Sequence, residues 1–356
     1  MLPYYILIFI PILIYLLGKI KRKNGDKLSL IAFFTILILM LSLRSINCGI
    51  DLKMYSGFYK IFAMSSFEKA VSVAGKGEIL YYFLNKFVSL LGGDFQFFLF
   101  IVALLSITPI AVYYYKESEN GLLTIALFLI VAPFSMFFSG LRQAIAMGII
   151  IFAFRFIKNK KIVKYIVCVV IAMYFHKSAS ICLLLYPIYH AKITKNWLYI
   201  IFPIMLCIFI FNKQIFTFVL HYYNPIYEDS YGGVTSTGEY AILILLILFI
   251  IYCFIFPDKN KINEDFIGLR NFLIFSTIIQ LFVPINYIVM RMNYYSLLFI
   301  PVLISKVSNI GYEKNKNIIK LSVIVMTTFF IIYFFYNGYK GDDILQIFPY
   351  IPFWKS

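Results

Sequence analysis

Five ionisable residues stand where a membrane-embedded chain can least afford them: Arg44, Asp51, Arg142, His176 and Arg291. Ionisable groups near membrane depth are expensive, so each invites a functional reading. Arg142, in SGLRQAIAMG, sits at the start of an expected helix, and Arg291, in YIVMRMNYYSLL, repeats the arrangement. A helix start presents free N–H groups and the positive end of its dipole, and an arginine there adds a charge suited to anions. His176 and Lys177, in MYFHKSAS, fall at the junction of two apolar runs. If these ends meet, they form a cationic pocket. A diphosphate suits it, because guanidinium forks match phosphate oxygens in two-point contacts. Asp51, in RSINCGIDLKMYSGFY, could accept a proton from a hydroxyl, pair with Arg44, or cap the helix that follows. His176 is the alternative base, since imidazoles titrate near neutral pH. The bland reading of a lone arginine is an interfacial side chain or a structural ion pair, and of a lone histidine a hydrogen-bonded structural residue. His190 and His221 have no comparable setting.

The elements that must position these residues are transmembrane helices. Of 356 residues, 62% are apolar, 20% aromatic and only 13% charged, against about 25% charged in soluble domains. The net charge of +16 comes in short clusters such as Lys19, Lys21, Arg22, Lys23 and Lys27 between apolar runs. Such clusters are topology signals, not a nucleic-acid footprint. The five cysteines follow no metal or disulfide spacing. At the N-terminus the charges follow the apolar run, the reverse of a cleavable signal, so residues 2–19 read as a first crossing.

Apolar runs fall at about 2–19, 28–43, 94–115, 121–138, 141–157, 162–176, 178–190, 197–212, 240–256, 270–290, 292–307 and 319–336. The fold expected is an all-α polytopic bundle of about 12 transmembrane helices forming a single domain over 1–356. A short piece at 79–91 is re-entrant or interfacial, and 178–190 is short enough to be a half-helix. With the N-terminus outside, the inner loops carry 19 Lys/Arg and the much longer outer segments 12, as the positive-inside rule requires. All five ionisable residues then lie at or beyond the outer ends of helices. The outer elements are 44–93, with an amphipathic helix around Phe58, Ile61 and Phe62; 213–239, with Tyr222, Tyr223, Tyr227 and Tyr231; and the tail 337–356, which could fold back over the bundle. The tyrosines suit either sugar stacking or an interfacial belt. No paired-acid motif for a metal–nucleotide, no P-loop, no H-E-x-x-H and no G-x-S-x-G is present, and GKGE at 75–78 is too short for a phosphate loop. No metal or other cofactor is expected.

The string R-x6-D-x3-Y formed by Arg44, Asp51 and Tyr55 resembles the outer-loop signature of EpsG-like proteins, within the wider Wzy-type polysaccharide and O-antigen polymerases. LRQAIA (141–146), FHKSA (175–179), MRMNYY (290–295) and the late PY of FPYIPF (348–353) resemble the later motifs in the same order. The resemblance implies a metal-independent glycosyltransferase of the bacterial cytoplasmic membrane, with a glycosyltransferase-C-like bundle as a possible architecture. It would join polyprenyl-diphosphate-linked oligosaccharides at the outer face, for capsule, exopolysaccharide or O-antigen. Membrane lipids surround it, and a flippase and a chain-length regulator are the further partners implied. On that reading Asp51, Arg142, His176 and Arg291 are catalytic, and Arg44, Tyr55, Gln143, Lys177, Tyr294 and Tyr350 line the substrate site. A flippase or transporter of the same lipid-linked sugars, and a glycan ligase, are the alternatives.

Overall fold

The computed structural model describes all residues except 22–23, 67, 69–71, 73–77, 224–236, 287, 342–344 and 356. The described residues form helices joined by short turns. They are α1 (Leu2–Ile20), α2 (Gly25–Leu43), α3 (Leu52–Met64), α4 (Ile79–Leu90), α5 (Phe95–Glu117), α6 (Gly121–Ile130), α7 (Met136–Ser139), α8 (Leu141–Lys158) and α9 (Ile162–Phe175). A 3-10 segment (Lys177–Leu184) then leads into α10 (Leu185–His190), α11 (Leu198–Tyr223), α12 (Thr237–Ile255), α13 (Glu264–Gln280), α14 (Ile288–Leu297), α15 (Ile300–Ile310) and α16 (Lys316–Lys340).

Six helical stretches are long and apolar enough to cross a membrane: Leu2–Ile20, Gly25–Leu43, Phe95–Glu117, Lys195–Val219, Ile288–Ile310 and Glu313–Lys340. The protein is thus a polytopic membrane protein, but the expectation of about twelve crossings is met only in part, because several apolar runs are short or broken. The run 121–138 forms a helix of 10 residues, α6, which stops before Pro133. At about 15 Å, α6 covers half of a hydrocarbon core. Its continuation, 131–140, is irregular apart from the single turn α7, is largely buried, and bonds within its own backbone, with Phe134 N–H donating to Ala132 O and Gly140 N–H to Met136 O, both at 2.8 Å. Irregular backbone at membrane depth is tolerated only in such protein-covered places. The run 178–190 begins as a 3-10 turn, and 270–290 ends at Gln280 before a tight turn. Residues 79–90 form one helix of 12 residues, too short to span, packed on α3 and α9.

The core lies where α6, α8 and the α14–α15 stretch meet. That stretch is 78% buried, whereas the spans ending in α11 and α16 are only 11% and 17% buried and turn apolar faces outward. Helices α5 and α8 approach closely because Gly148 has no side chain: a Cβ there would stand 2.5 Å from Leu105 O. At the far end of α8, Lys158 lies 2.8 Å from Glu117 and 3.1 Å from Asp265, and Lys306 lies 3.0 and 3.3 Å from the same two carboxylates. This square of charges ties together α5, α8, α13 and α15. Across 18 residues, about 27 Å, the other end of α8 holds Arg142.

The C-terminal tail does fold back over the bundle. Arg44 and Pro352 form an antiparallel bridge, Ser45 N–H donates to Ile351 O at 2.8 Å, and Ile50 N–H to Leu345 O at 3.0 Å. Tyr4 donates to Ile347 O, and its ring packs 4.5 Å from that of Phe348.

Candidate active site

Four separate stretches of chain meet at one end of the bundle. They enclose a cavity of about 110 Å³ lined by Asp51, Met54, Tyr55, Met136, Gly140, Arg142, Gln143, His176 and Arg291. Each side chain arrives for a local reason. Gly49, at φ +125°, makes a turn that only glycine adopts freely, and it rests on Phe138 O, where a Cβ would come within 2.3 Å. The turn delivers Asp51 to the start of α3 and Tyr55 one helical turn later, on the same face. The Asp51 carboxylate does not cap α3. It has no ion-pair partner among the described residues, so neither structural alternative for it is realised.

Arg142 is the second residue of α8, with Gly140 as the preceding cap. The first N–H groups of a helix have no intrahelical partners, and this end faces the cavity. The guanidinium lies over the rings of Tyr55 and Tyr81, at 5.5 and 5.9 Å, and its Nε–H donates to Tyr55 Oη at 3.3 Å. Gln143 is 1% exposed. Its amide nitrogen donates to Arg291 O at 2.5 Å, while its oxygen has no partner among the described residues. Arg291 itself is exposed at the cavity edge. Its helix is anchored two residues later by Asn293, which donates to Gln280 at 2.9 Å and accepts from Ser276 at 2.6 Å, all buried in the core. His176 ends α9 in an extended conformation, and the following 3-10 segment is pinned by Ser178 against Tyr295 Oη at 3.0 Å.

Sequence reasoning missed Glu78. Its Oε1 lies 3.0 Å from His176 Nδ1, and its Oε2 accepts from Arg142 Nη1. Burial alone would raise the Glu78 carboxyl. The hydrogen bond from His176 and the charge of Arg142 outweigh it and hold the group below its ordinary 4.5. Burial raises the Tyr55 phenol above its usual 10 despite Arg142 beside it, so Tyr55 keeps its proton. Glu78 closes the motif GKGE, of which 75–77 lie outside the described residues. Nothing in the sequence sets it apart from another acid of the same segment, Glu68. Tyr81, one turn on, was likewise unmarked.

Six of the expected residues therefore share the cavity: Asp51, Tyr55, Arg142, Gln143, His176 and Arg291. Four do not. Arg44 is 1% exposed, donates to the carbonyls of Leu41 and Phe137, and lies 5.7 Å from the Phe138 ring. It clamps the irregular 131–140 segment and the tail, because the extended chain after α2 turns it inward. Tyr350 donates to Met40 O at 2.9 Å and holds the same tail. Tyr294 is 5% exposed and packs in the core, outside the cavity lining. Lys177 is exposed and outside the cavity lining. The cavity is also less cationic than its arginines suggest, since Glu78 already pairs Arg142 and Asp51 shares the lining. Tyr227 and Tyr231 lie outside the described residues, and so do the side chains of Tyr222 and Tyr223. Among the described residues no cluster of His, Cys, Asp or Glu could hold a metal ion.

A helical membrane bundle with a polar, charge-bearing cavity at one end, opposite its lysine-rich end, defines the general class. More particularly, the chain belongs to the EpsG family, a polysaccharide polymerase-like family, whose model matches residues 27–351. No curated protein and no solved structure matches it.

Proposed function

We propose that the protein is a polysaccharide polymerase that joins polyprenyl-diphosphate-linked oligosaccharide repeat units at the outer face of the cytoplasmic membrane. The observation that carries this reading is the meeting of Arg142, His176 and Arg291, from three separate helix ends, around one cavity. Family membership supports polymerase-like chemistry in general. The lysines at the opposite end of α8 support an outward-facing cavity, because cationic loops are retained in the cytoplasm.

In this reading the diphosphate of the donor lies across Arg142 and Arg291. The Arg142 guanidinium has five N–H donors and spends one on Glu78 and one on Tyr55, which leaves three for phosphate oxygens. Oriented cations stabilise the charge that grows on the leaving diphosphate. Asp51 or His176 deprotonates or orients the attacking sugar hydroxyl. A cavity of about 110 Å³ admits the reacting atoms and the phosphates, and the glycan chains extend through its mouth. Capsule, exopolysaccharide and O-antigen are the product classes such chemistry serves, with a flippase supplying the substrate and a chain-length regulator as further partner.

Purified protein incubated with a defined polyprenyl-diphosphate oligosaccharide should give a ladder of longer lipid-linked glycans on a sizing gel. Movement of that substrate between leaflets of a vesicle with no lengthening would replace the polymerase by a flippase.

A further inference from the structure

We propose that Glu78 is a positioning residue that fixes His176 in its Nδ1–H form, so that Nε2 serves as the base toward the attacking hydroxyl. The inference rests on the polymerase reading and deepens it by choosing between the two candidate bases.

The geometry is a three-part chain. Glu78 Oε1 stands 3.0 Å from His176 Nδ1, and Oε2 is held by Arg142. An ionised carboxylate can only accept hydrogen bonds, so the proton between Glu78 and His176 belongs to Nδ1. In the neutral ring Nε2 then carries the lone pair. His176 lines the cavity, Glu78 is not among the lining residues, and Nδ1 is taken by Glu78, which leaves Nε2 as the ring nitrogen available to a substrate. Neither oxygen of Glu78 is idle: one orients the base, the other holds the cation assigned to the diphosphate. Asp51 has no orienting residue of this kind among the described residues.

The step balances without a further reactant. The acceptor hydroxyl gives its proton to Nε2 as its oxygen bonds to the anomeric carbon of the donor. The bond from that carbon to the diphosphate breaks, and the electron pair leaves with the diphosphate against Arg142 and Arg291. The imidazolium so formed lies beside Glu78 and returns its proton to water or to the departing phosphate.

Glu78→Gln separates this role from simple packing. The amide oxygen stays on Arg142, because a guanidinium has only donors to offer. The NH2 group must then face Nδ1 and turns the ring to its Nε2–H form, which cannot act as a base. In full-length protein reconstituted in lipid with 15N-labelled histidine, the wild-type His176 signal, assigned through His176→Asn, should show Nδ1–H, and the Glu78→Gln signal Nε2–H. With the defined lipid-linked oligosaccharide, kcat should fall about 10²–10⁴-fold, the range of general-base contributions, with KM within about threefold. The double variant Glu78→Gln/His176→Ala should be no slower than His176→Ala alone, as expected of residues acting as a unit. An Nε2–H signal in the wild type overturns the assignment, and that spectrum decides even if a variant fails to fold. Additive losses in the double variant overturn it as well. If the wild-type protein lengthens no glycan, the polymerase reading fails, while the tautomer spectra still report whether Glu78 fixes His176.

Discussion

Replacing Arg142 by lysine separates charge from shape at the centre of the cavity. A lysine ammonium can still neutralise Glu78, so the folded protein should survive. The Glu78 and Arg142 side chains are 14% and 28% exposed, and a pair that retains some water contact is worth about 1 kcal/mol or less. Lost contacts with the Tyr55 and Tyr81 rings add about 0.5–1 kcal/mol each, part of which a lysine retains. The catalytic loss is larger. An ammonium cannot hold Glu78, meet Tyr55 Oη and still offer two parallel donors to a phosphate. Loss of one oriented donor to developing charge costs about 2.7–4 kcal/mol, or 10²–10³ in rate. Initial rates of glycan lengthening from a labelled lipid-linked oligosaccharide should therefore fall by about 10²–10³ for Arg142→Lys. Its unfolding temperature in detergent should stay close to that of the wild type. A folded Arg142→Lys protein that polymerises within about threefold of the wild-type rate would refute the assignment of this guanidinium to the leaving group.

Other perturbations address the scaffold and the acid limit. Because Glu78 is held below its ordinary 4.5, its pairing stabilises the fold above that pH and is lost as pH falls through the lowered value. The stability gap between wild type and Glu78→Gln should close as pH falls below about 4.5, as thermal unfolding across that range will show. Arg44→Ala should leave buried carbonyls of Leu41 and Phe137 without their charged donor, at about 1.5–3 kcal/mol per lost bond. Folded yield should fall while the turnover per folded molecule is kept, and selective loss of turnover would return Arg44 to the site. Gly148→Ala should force α5 and α8 apart against Leu105 O, at about 1–3 kcal/mol. An unfolding temperature equal to that of the wild type would show that the two helices do not depend on this contact.

Helix chemistry and charge placement were largely legible in the sequence, because both follow from composition. The run 121–138 reads as one crossing because its apolarity is continuous. Only Pro133 hinted at the break, and the chain tolerates irregular backbone there because neighbouring helices cover it. At the cavity, Arg142, His176 and Arg291 were legible because ionisable groups at helix ends are conspicuous against apolar surroundings, whereas Gln143 entered only through the family resemblance. Arg44 is conspicuous for the same reason, but its cost is met by backbone carbonyls, partners that no sequence pattern displays. Glu78 escaped notice because an acid in a polar segment is unremarked until folding carries it to His176 and Arg142, 98 and 64 positions away.

The stitching of the tail to the chain after α2 bears on when the protein can become competent. The turn that presents Asp51 leans on Leu345 through Ile50, Ser139 Oγ donates to the same carbonyl, and Ser45 binds Ile351. These partners follow every cavity residue in chain order. A chain that has not yet reached them would hold every residue of the cavity yet lack the strap that sets its wall. Competence thus waits for the strap, and a partly inserted chain holds its charged groups in an unfinished wall.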